Sequence, residues 1–144
     1  MFLAKITSDK NIISKIIELR YDILRKPWNQ SKDTATDGLE ESSVNVYIEE
    51  NEKVIACGRL QDNGAGVGQI RYMAVAQNYQ GKGLGKIILK KLEEEALKLK
   101  INKIELQARD NAVEFYKSCG YSIKEKSFKL WDIIQHYLML KTLK

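Results

Sequence analysis

Three glycines alternate in Gln80-Gly81-Lys82-Gly83-Leu84-Gly85, where an extended apolar run gives way to a helical one. Residues without a Cβ let the backbone take left-handed turns and let bare N–H groups approach a ligand closely. The helix that follows adds unsatisfied donors and a positive partial charge at its N-terminus, so the segment suits an anion, phosphate above all. Spacing decides which phosphate loop it resembles. A nucleotide P-loop needs G-x-x-x-x-G-K-[ST], but Gln80 stands at its first glycine and Ile87 follows Gly85-Lys86. A dinucleotide fingerprint, G-x-G-x-x-G, fails at Lys86, which takes the place of its third glycine.

The flanking periodicities predict what this loop is set into. Phe2 to Thr7 reads as a short strand, and Asn11 to Leu24 as a helix capped by Ser8 or Asp9 and ended by Pro27. Lys26 to Ser43 is polar, holds Trp28 and Gly38, and reads as a loop or irregular helix in the position of a substrate lid. Strands follow at Val44 to Glu49, Lys53 to Gln61 and Val67 to Ala76, with turns at Asn51-Glu52 and Asp62 to Gly66. The helix opened by the glycines runs to about Lys100, with Leu84, Ile88, Leu92, Ala96 and Leu99 on one face. A strand at Lys103 to Ala108 precedes a short helix from Ala112 to Cys119, stopped by Gly120, and two strands around an Asp132-centred turn. Antiparallel strands followed by strand-helix-strand-helix-strand predict one α/β domain over residues 1–144, with a mixed sheet.

Composition removes several classes. A chain of 144 residues buries a core without disulfides or metals. No apolar stretch approaches the roughly 20 residues of a membrane span, and the N-terminal residues lack a signal peptide's apolar core. A cytoplasmic location without a membrane partner is expected. Cys57 and Cys119 have no CxxC spacing and His136 is the sole histidine, so no metal is expected, and both thiols read as reduced. The net charge of +5 invites a nucleic-acid reading, but lysines interleave with glutamates, as in Lys90-Lys91-Leu92-Glu93-Glu94-Glu95. No nucleic-acid partner is expected; a mildly positive surface suits an anionic cofactor equally well.

The glycine segment fits [R/Q]-x-x-G-x-[G/A], and the strand Gln69 to Val75 ends five residues ahead of Gln80. Downstream, Asn111 to Tyr121 fits N-x-x-x-F-Y-x-x-x-G-[FY]. In this order the three segments resemble the GNAT superfamily of N-acetyltransferases, strongly over Val44 to Tyr121. The tail at His136 to Lys141 and the stretch Leu24 to Trp28 look like one bacterial branch of it. The resemblance implies a mixed sheet of six to seven strands, about four helices, and fourth and fifth strands that splay around the pantetheine arm of coenzyme A. It implies an enzyme that uses acetyl-CoA as co-substrate and acetylates a small-molecule or peptide amine by direct attack in a ternary complex. Many relatives pair as homodimers.

Acyl transfer to an amine needs a neutral amine, a donor for the oxyanion and a proton for the leaving thiolate. Carried over residue by residue, the resemblance assigns the pantetheine arm to backbone groups of Met73, Ala74 and Val75, with an amide near Val75 on the thioester carbonyl. The pyrophosphate falls to Gln80, Gly81, Lys82, Gly83, Leu84, Gly85 and Lys86, chiefly through their amides. Asn111 contacts the cofactor or caps a helix. Tyr116 is the candidate acid, its phenol ordinarily titrating near pH 10, while Phe115 packs.

The base is where the pattern departs. Many relatives carry a glutamate at the position of Gln69, and glutamine takes no proton. Water could relay the proton to solvent or to a carboxylate such as Glu105; His136 serves as base or as a structural residue. Gln69 equally suits a coenzyme A-binding regulatory module that has lost its chemistry. Arg20 to Ser43 and Phe128 to His136 are the expected acceptor wall, in which Arg25, Trp28 and the acids from Asp33 to Glu41 suit several amines.

Overall fold

Two tight turns set the register of half the sheet. Asn51 and Glu52 both take left-handed conformations (φ 52° and 65°), as do Ala65 and Gly66 (56° and 78°). Positive φ at both central residues gives the hairpin turn whose twist matches its strands. The computed structural model describes residues 2–143. Within them β1 (Lys5–Thr7) pairs with β2 (Val44–Glu50), and β3 (Lys53–Gly64) and β4 (Val67–Val75) continue the antiparallel meander. β3 extends to Gly64, so the loop expected from Asp62 to Gly66 shrinks to its last two residues.

β5 (Lys103–Arg109) lies parallel to β4, reached through a helical crossover. β6 (Ser122–Leu130) and β7 (Ile134–Thr142) form a hairpin whose second strand inserts beside β5. The result is a mixed seven-stranded sheet in the order β1-β2-β3-β4-β5-β7-β6.

Helices α1 (Lys10–Arg20) and α2 (Leu84–Lys98) cover opposite faces. Adjacent strand residues point to opposite sides. Tyr47 and Cys57 accordingly pack with Ile16 and Leu19 of α1, while Val46 and Ala56 pack with Leu84, Ile88 and Leu92 of α2. α2 sits very close to the sheet at Gly58, where a Cβ would come within 2.6 Å of Met73 Sδ, 2.8 Å of Ile88 Cγ2 and 2.9 Å of Leu92 Cδ1. The short α3 (Val113–Ser118) packs on this same side.

The first helix departs from expectation. Asp9 caps it, accepting from the amides of Asn11 and Ile12, but regular α geometry stops at Arg20. A π-helical turn, Tyr21–Arg25, and a 3-10 turn containing Pro27 follow. The wider turn accommodates an extra residue before the proline, and π turns of this kind recur at functional sites. Among the described residues no helix is long and apolar enough to cross a membrane.

Candidate functional site

β4 and β5 pair only from Val67–Ile70 to Lys103–Leu106, although β4 runs on to Val75 and β5 to Arg109. Beyond Ile70 and Leu106 the two strands part, and a cavity of about 470 Å³ opens between them. Leu24 and Arg25 wall it from the α1 side, Ala112 and Tyr116 from the α3 side. It is therefore a slot through the sheet.

A bulge shapes the slot. Arg71 pairs with Arg59 and Ala74 with Cys57, so β4 spends one extra residue over this interval, and Tyr72 takes φ 57°. Left-handed backbone is costly for an aromatic residue and persists only where surroundings enforce it. Here guanidinium groups surround the Tyr72 ring: Arg20 at 4.3 Å from its centroid, Arg71 at 4.7 Å, Arg59 at 5.1 Å and Arg25 at 5.8 Å. Cation–π attraction holds such a ring. It also gives a face to charges that hydrogen bonds do not finish, since Arg20 Nε and Nη2 and Arg59 Nε are buried without partners among the described residues.

Two carboxylates neutralise part of this cluster. Asp37 takes Arg59 in a fork, Nη1 donating at 2.6 Å and Nη2 at 2.7 Å, and accepts from Arg71 at 2.8 Å. The Arg59 hydrogen bonds outweigh burial and hold Asp37 down at about 2. Glu40 Oε2 accepts from Arg20 at 3.1 Å and from Arg59 at 3.0 Å. The acids between Asp33 and Glu41 were expected to face a substrate; Asp37 and Glu40 instead brace arginines. Trp28 lies outside the cavity lining.

Tyr116 lines the slot, and its phenol makes no hydrogen bond among the described residues. Burial drives its pKa well above the ordinary phenol value, so it holds its proton throughout the physiological range. His136 also lines the slot, stacked on Phe128 at 4.5 Å between centroids. Its Nδ1 lies 2.9 Å from the carbonyl of Ile134; a carbonyl only accepts, so Nδ1 carries the hydrogen. Burial lowers the imidazole pKa, with Arg109 opposing its charge further, so the ring is neutral and its lone pair is on Nε2. Gln69 lines the slot where the strands still pair, directly opposite Glu105.

The glycine loop follows β4 at its splayed end. Gln80 Nε2 donates to the Val75 carbonyl at 3.0 Å, tying the loop to the strand. Gly81 and Gly83 take φ 81° and 82°, and Gly83 is the N-cap of α2 without a side-chain cap or an acid in the first turn. Left-handed glycines beside free first-turn amides form an anion cradle. Gly85 lies against Phe115, where a Cβ would meet the ring at 3.1 Å. The residues present therefore fit a pyrophosphate.

Of the expected site residues, Met73 and Tyr116 line the slot, Ala74 and Val75 continue along β4, and Gln80 to Lys86 form the loop and first turn. Asn111 does not cap α3; Ala112 holds that position without a side-chain bond, because a 3-10 turn at Asp110–Ala112 intervenes. Arg71, Arg109, Tyr72 and Gln107 of the lining were missed. Their only signal is alternation within β4 and β5. Cys57 is buried and its thiol is pushed up to about 11, so it supplies no thiolate. Among the described residues no group of His, Cys, Asp and Glu is placed to hold a metal.

The chain is similar in sequence and in fold to several known proteins. The sequence pattern of the Acetyltransferase (GNAT) family matches residues 13–121. The uncharacterized N-acetyltransferase YjcF of Bacillus subtilis (strain 168) is 28% identical over 138 residues, 96% of this chain and 98% of that protein. Escherichia coli ElaA superposes with a TM-score of 0.83 at 16% identity, covering 98% of this chain and 99% of ElaA. An aminoglycoside 6'-N-acetyltransferase complexed with coenzyme A superposes with a TM-score of 0.81 at 13% identity, covering 97% and 96% of the two chains. At such identities the structural likeness speaks to the fold.

Proposed function

The chain belongs to the acetyltransferase (GNAT) family, and from that premise we propose that it moves the acetyl group of acetyl-CoA to a primary amine by direct attack in a ternary complex. One observation carries the reading: the slot between β4 and β5 ends at a helix N-terminus that is uncapped and turned by two left-handed glycines. Such an arrangement suits a ligand with a pyrophosphate at one end and a neutral arm at the other. The aminoglycoside enzyme of the same fold was seen with coenzyme A.

In this proposal the amides from Lys82 to Lys86 hold the pyrophosphate, and backbone groups of Met73 to Val75 hold the arm. Acetyl-CoA supplies an activated carbonyl and a thiolate leaving group. The Tyr116 phenol, kept protonated by burial, donates from its oxygen to the departing sulfur. Gln69 orients without taking a proton, and the amine proton passes through water toward Glu105, its partner across the strands.

Thermal unfolding with and without acetyl-CoA tests this, using AMP and NADH as controls. Selective binding at 100 times the dissociation constant stabilises a fold by about 2.7 kcal/mol. A shift with acetyl-CoA alone, followed by thiol release with an amine, supports the proposal. The absence of a shift at millimolar acetyl-CoA would overturn it. A shift without turnover on any amine would favour a cofactor-binding module, the reading that Gln69 otherwise suggests.

A further inference from the structure

The phosphates of acetyl-CoA sit at its nucleotide end, and the arm and thioester that would enter the slot are neutral. The slot is nevertheless cationic. Arg25, Arg71 and Arg109 line it, and among the described residues no Asp or Glu does. Asp37 partners Arg71. Arg25 and Arg109 make no ion pair among the described residues. Both donate to one oxygen, the Leu24 carbonyl, Arg25 Nη1 at 3.2 Å and Arg109 Nη2 at 3.0 Å.

Arg25 also donates through Nε to the Thr34 carbonyl at 3.1 Å, so two half-buried guanidinium groups have only neutral carbonyls as hydrogen-bond partners among the described residues, an unfavourable arrangement. Burial lowers the pKa of each, with Arg71 opposing Arg25 and Arg25 opposing Arg109. Aromatic contact relieves only Arg25, whose guanidinium carbon lies 5.3 Å from the Trp131 ring and 5.8 Å from Tyr72. The nearby acid Asp110 is exposed on the turn after β5. What completes such a pair is an oxyanion, bound by planar N–H forks.

We propose that the acceptor is a small anionic amine, gripped through its carboxylate or phosphate oxygens by Arg25 and Arg109, with its amino group turned toward Met73 and Tyr116. This rests on the acetyl-transfer reading above. The same charges act on the amine. A cationic slot disfavours an ammonium and favours the neutral, nucleophilic form. It thereby supplies part of what a glutamate at position 69 would supply. Polycationic acceptors such as polyamines and aminoglycosides meet repulsion instead.

The experiment pairs acceptors that differ in one group. Initial rates of thiol release are measured with acetyl-CoA and β-alanine, β-alanine amide, 2-aminoethylphosphonate and spermidine, and the affinity of each is measured calorimetrically in the presence of coenzyme A. The expected result is at least a tenfold preference, in rate or affinity, for one or both anionic amines over the amide and spermidine. Preference between the carboxylate and the phosphonate identifies the oxyanion. Arg109→Gln and Arg25→Gln should each raise KM for the anionic amine tenfold or more while leaving the thermal shift with acetyl-CoA intact. Equal handling of the amide, or preference for spermidine, overturns the proposal. So does binding of none of the four beside an intact acetyl-CoA shift. Loss of the acetyl-CoA shift in the unsubstituted protein would instead strike the underlying acetyl-transfer reading.

Discussion

Gln69 and Glu105 stand opposite each other across the parallel pairing of β4 and β5, and the amide nitrogen of Asn63 lies 3.4 Å from a side-chain oxygen of each. In the proposed mechanism Glu105 receives the amine proton that Gln69 cannot take. Glu105→Gln is expected to lower kcat/KM about tenfold or more, since positioned proton transfer contributes at least that much. Gln69→Glu sets two carboxylates face to face, which raises one of their pKa values and moves the acidic limb of the pH–rate profile upward. An unchanged rate in Glu105→Gln would remove Glu105 from the proton path.

Tyr116→Phe isolates chemistry from folding. Among the described residues the phenol makes no hydrogen bond, so the melting temperature should stay within about a degree while kcat falls tenfold or more. Acetyl-CoA should still stabilise the variant. Unaltered turnover would return Tyr116 to a packing role beside Phe115 and Tyr121, with which its ring makes edge contacts at 5.0 and 5.8 Å.

Gly58→Ala tests the close approach of α2 to the sheet. A methyl there collides with Met73, Ile88 and Leu92, and the last two are fully buried in the core. Overpacking of this kind costs about 1–3 kcal/mol, several degrees of melting temperature in a chain this size. Because Met73 must also move, the acetyl-CoA shift should shrink. A variant as stable as the parent would mean that α2 moves away freely.

Acid should loosen the segment that holds Asp37 first. Asp37 titrates at about 2 in the fold, below its ordinary value of 3.8, because Arg59 holds its charged form. A depressed carboxylate contributes stability that is full above its unfolded pKa and is lost as pH falls through the folded one. The contribution, on the order of 2 kcal/mol, should therefore fade between about pH 4 and pH 2. Asp37→Asn should flatten that fall and lose about 1–2 kcal/mol at pH 7, since Asp37 is open to solvent and the buried Arg59 keeps Glu40 as a partner. Urea midpoints at pH 7 and pH 3 measure both; a parallel decline in parent and variant would exclude Asp37 as the source.

The glycine loop, the α2 stripe and the strand order of the meander were legible because each is written in contiguous residues. The Asn51-Glu52 turn was legible too, whereas the second turn was drawn too wide: Asp62 to Gly64 look like loop residues but continue the ladder beside β4. The arginine cluster was not legible. Arg20, Arg25, Arg59, Arg71 and Arg109 are scattered along the chain, and only folding brings the first four around Tyr72 and sets Arg109 beside Arg25 at the Leu24 carbonyl. The bulge left no trace either, because a tyrosine, not a glycine, occupies its left-handed position. The acids of the polar segment were visible, but their partners lay elsewhere in the chain.

β7 follows β6 in sequence and yet lies between β5 and β6 in space. A chain emerging from the ribosome cannot set β6 in its final place before β7 exists, and until then β5 is fastened to the sheet by four residue pairs with β4. The slot's far wall, with His136, thus arrives after the other six strands of the sheet. Whatever the slot holds, its lining stays incomplete until β7 has paired with β5.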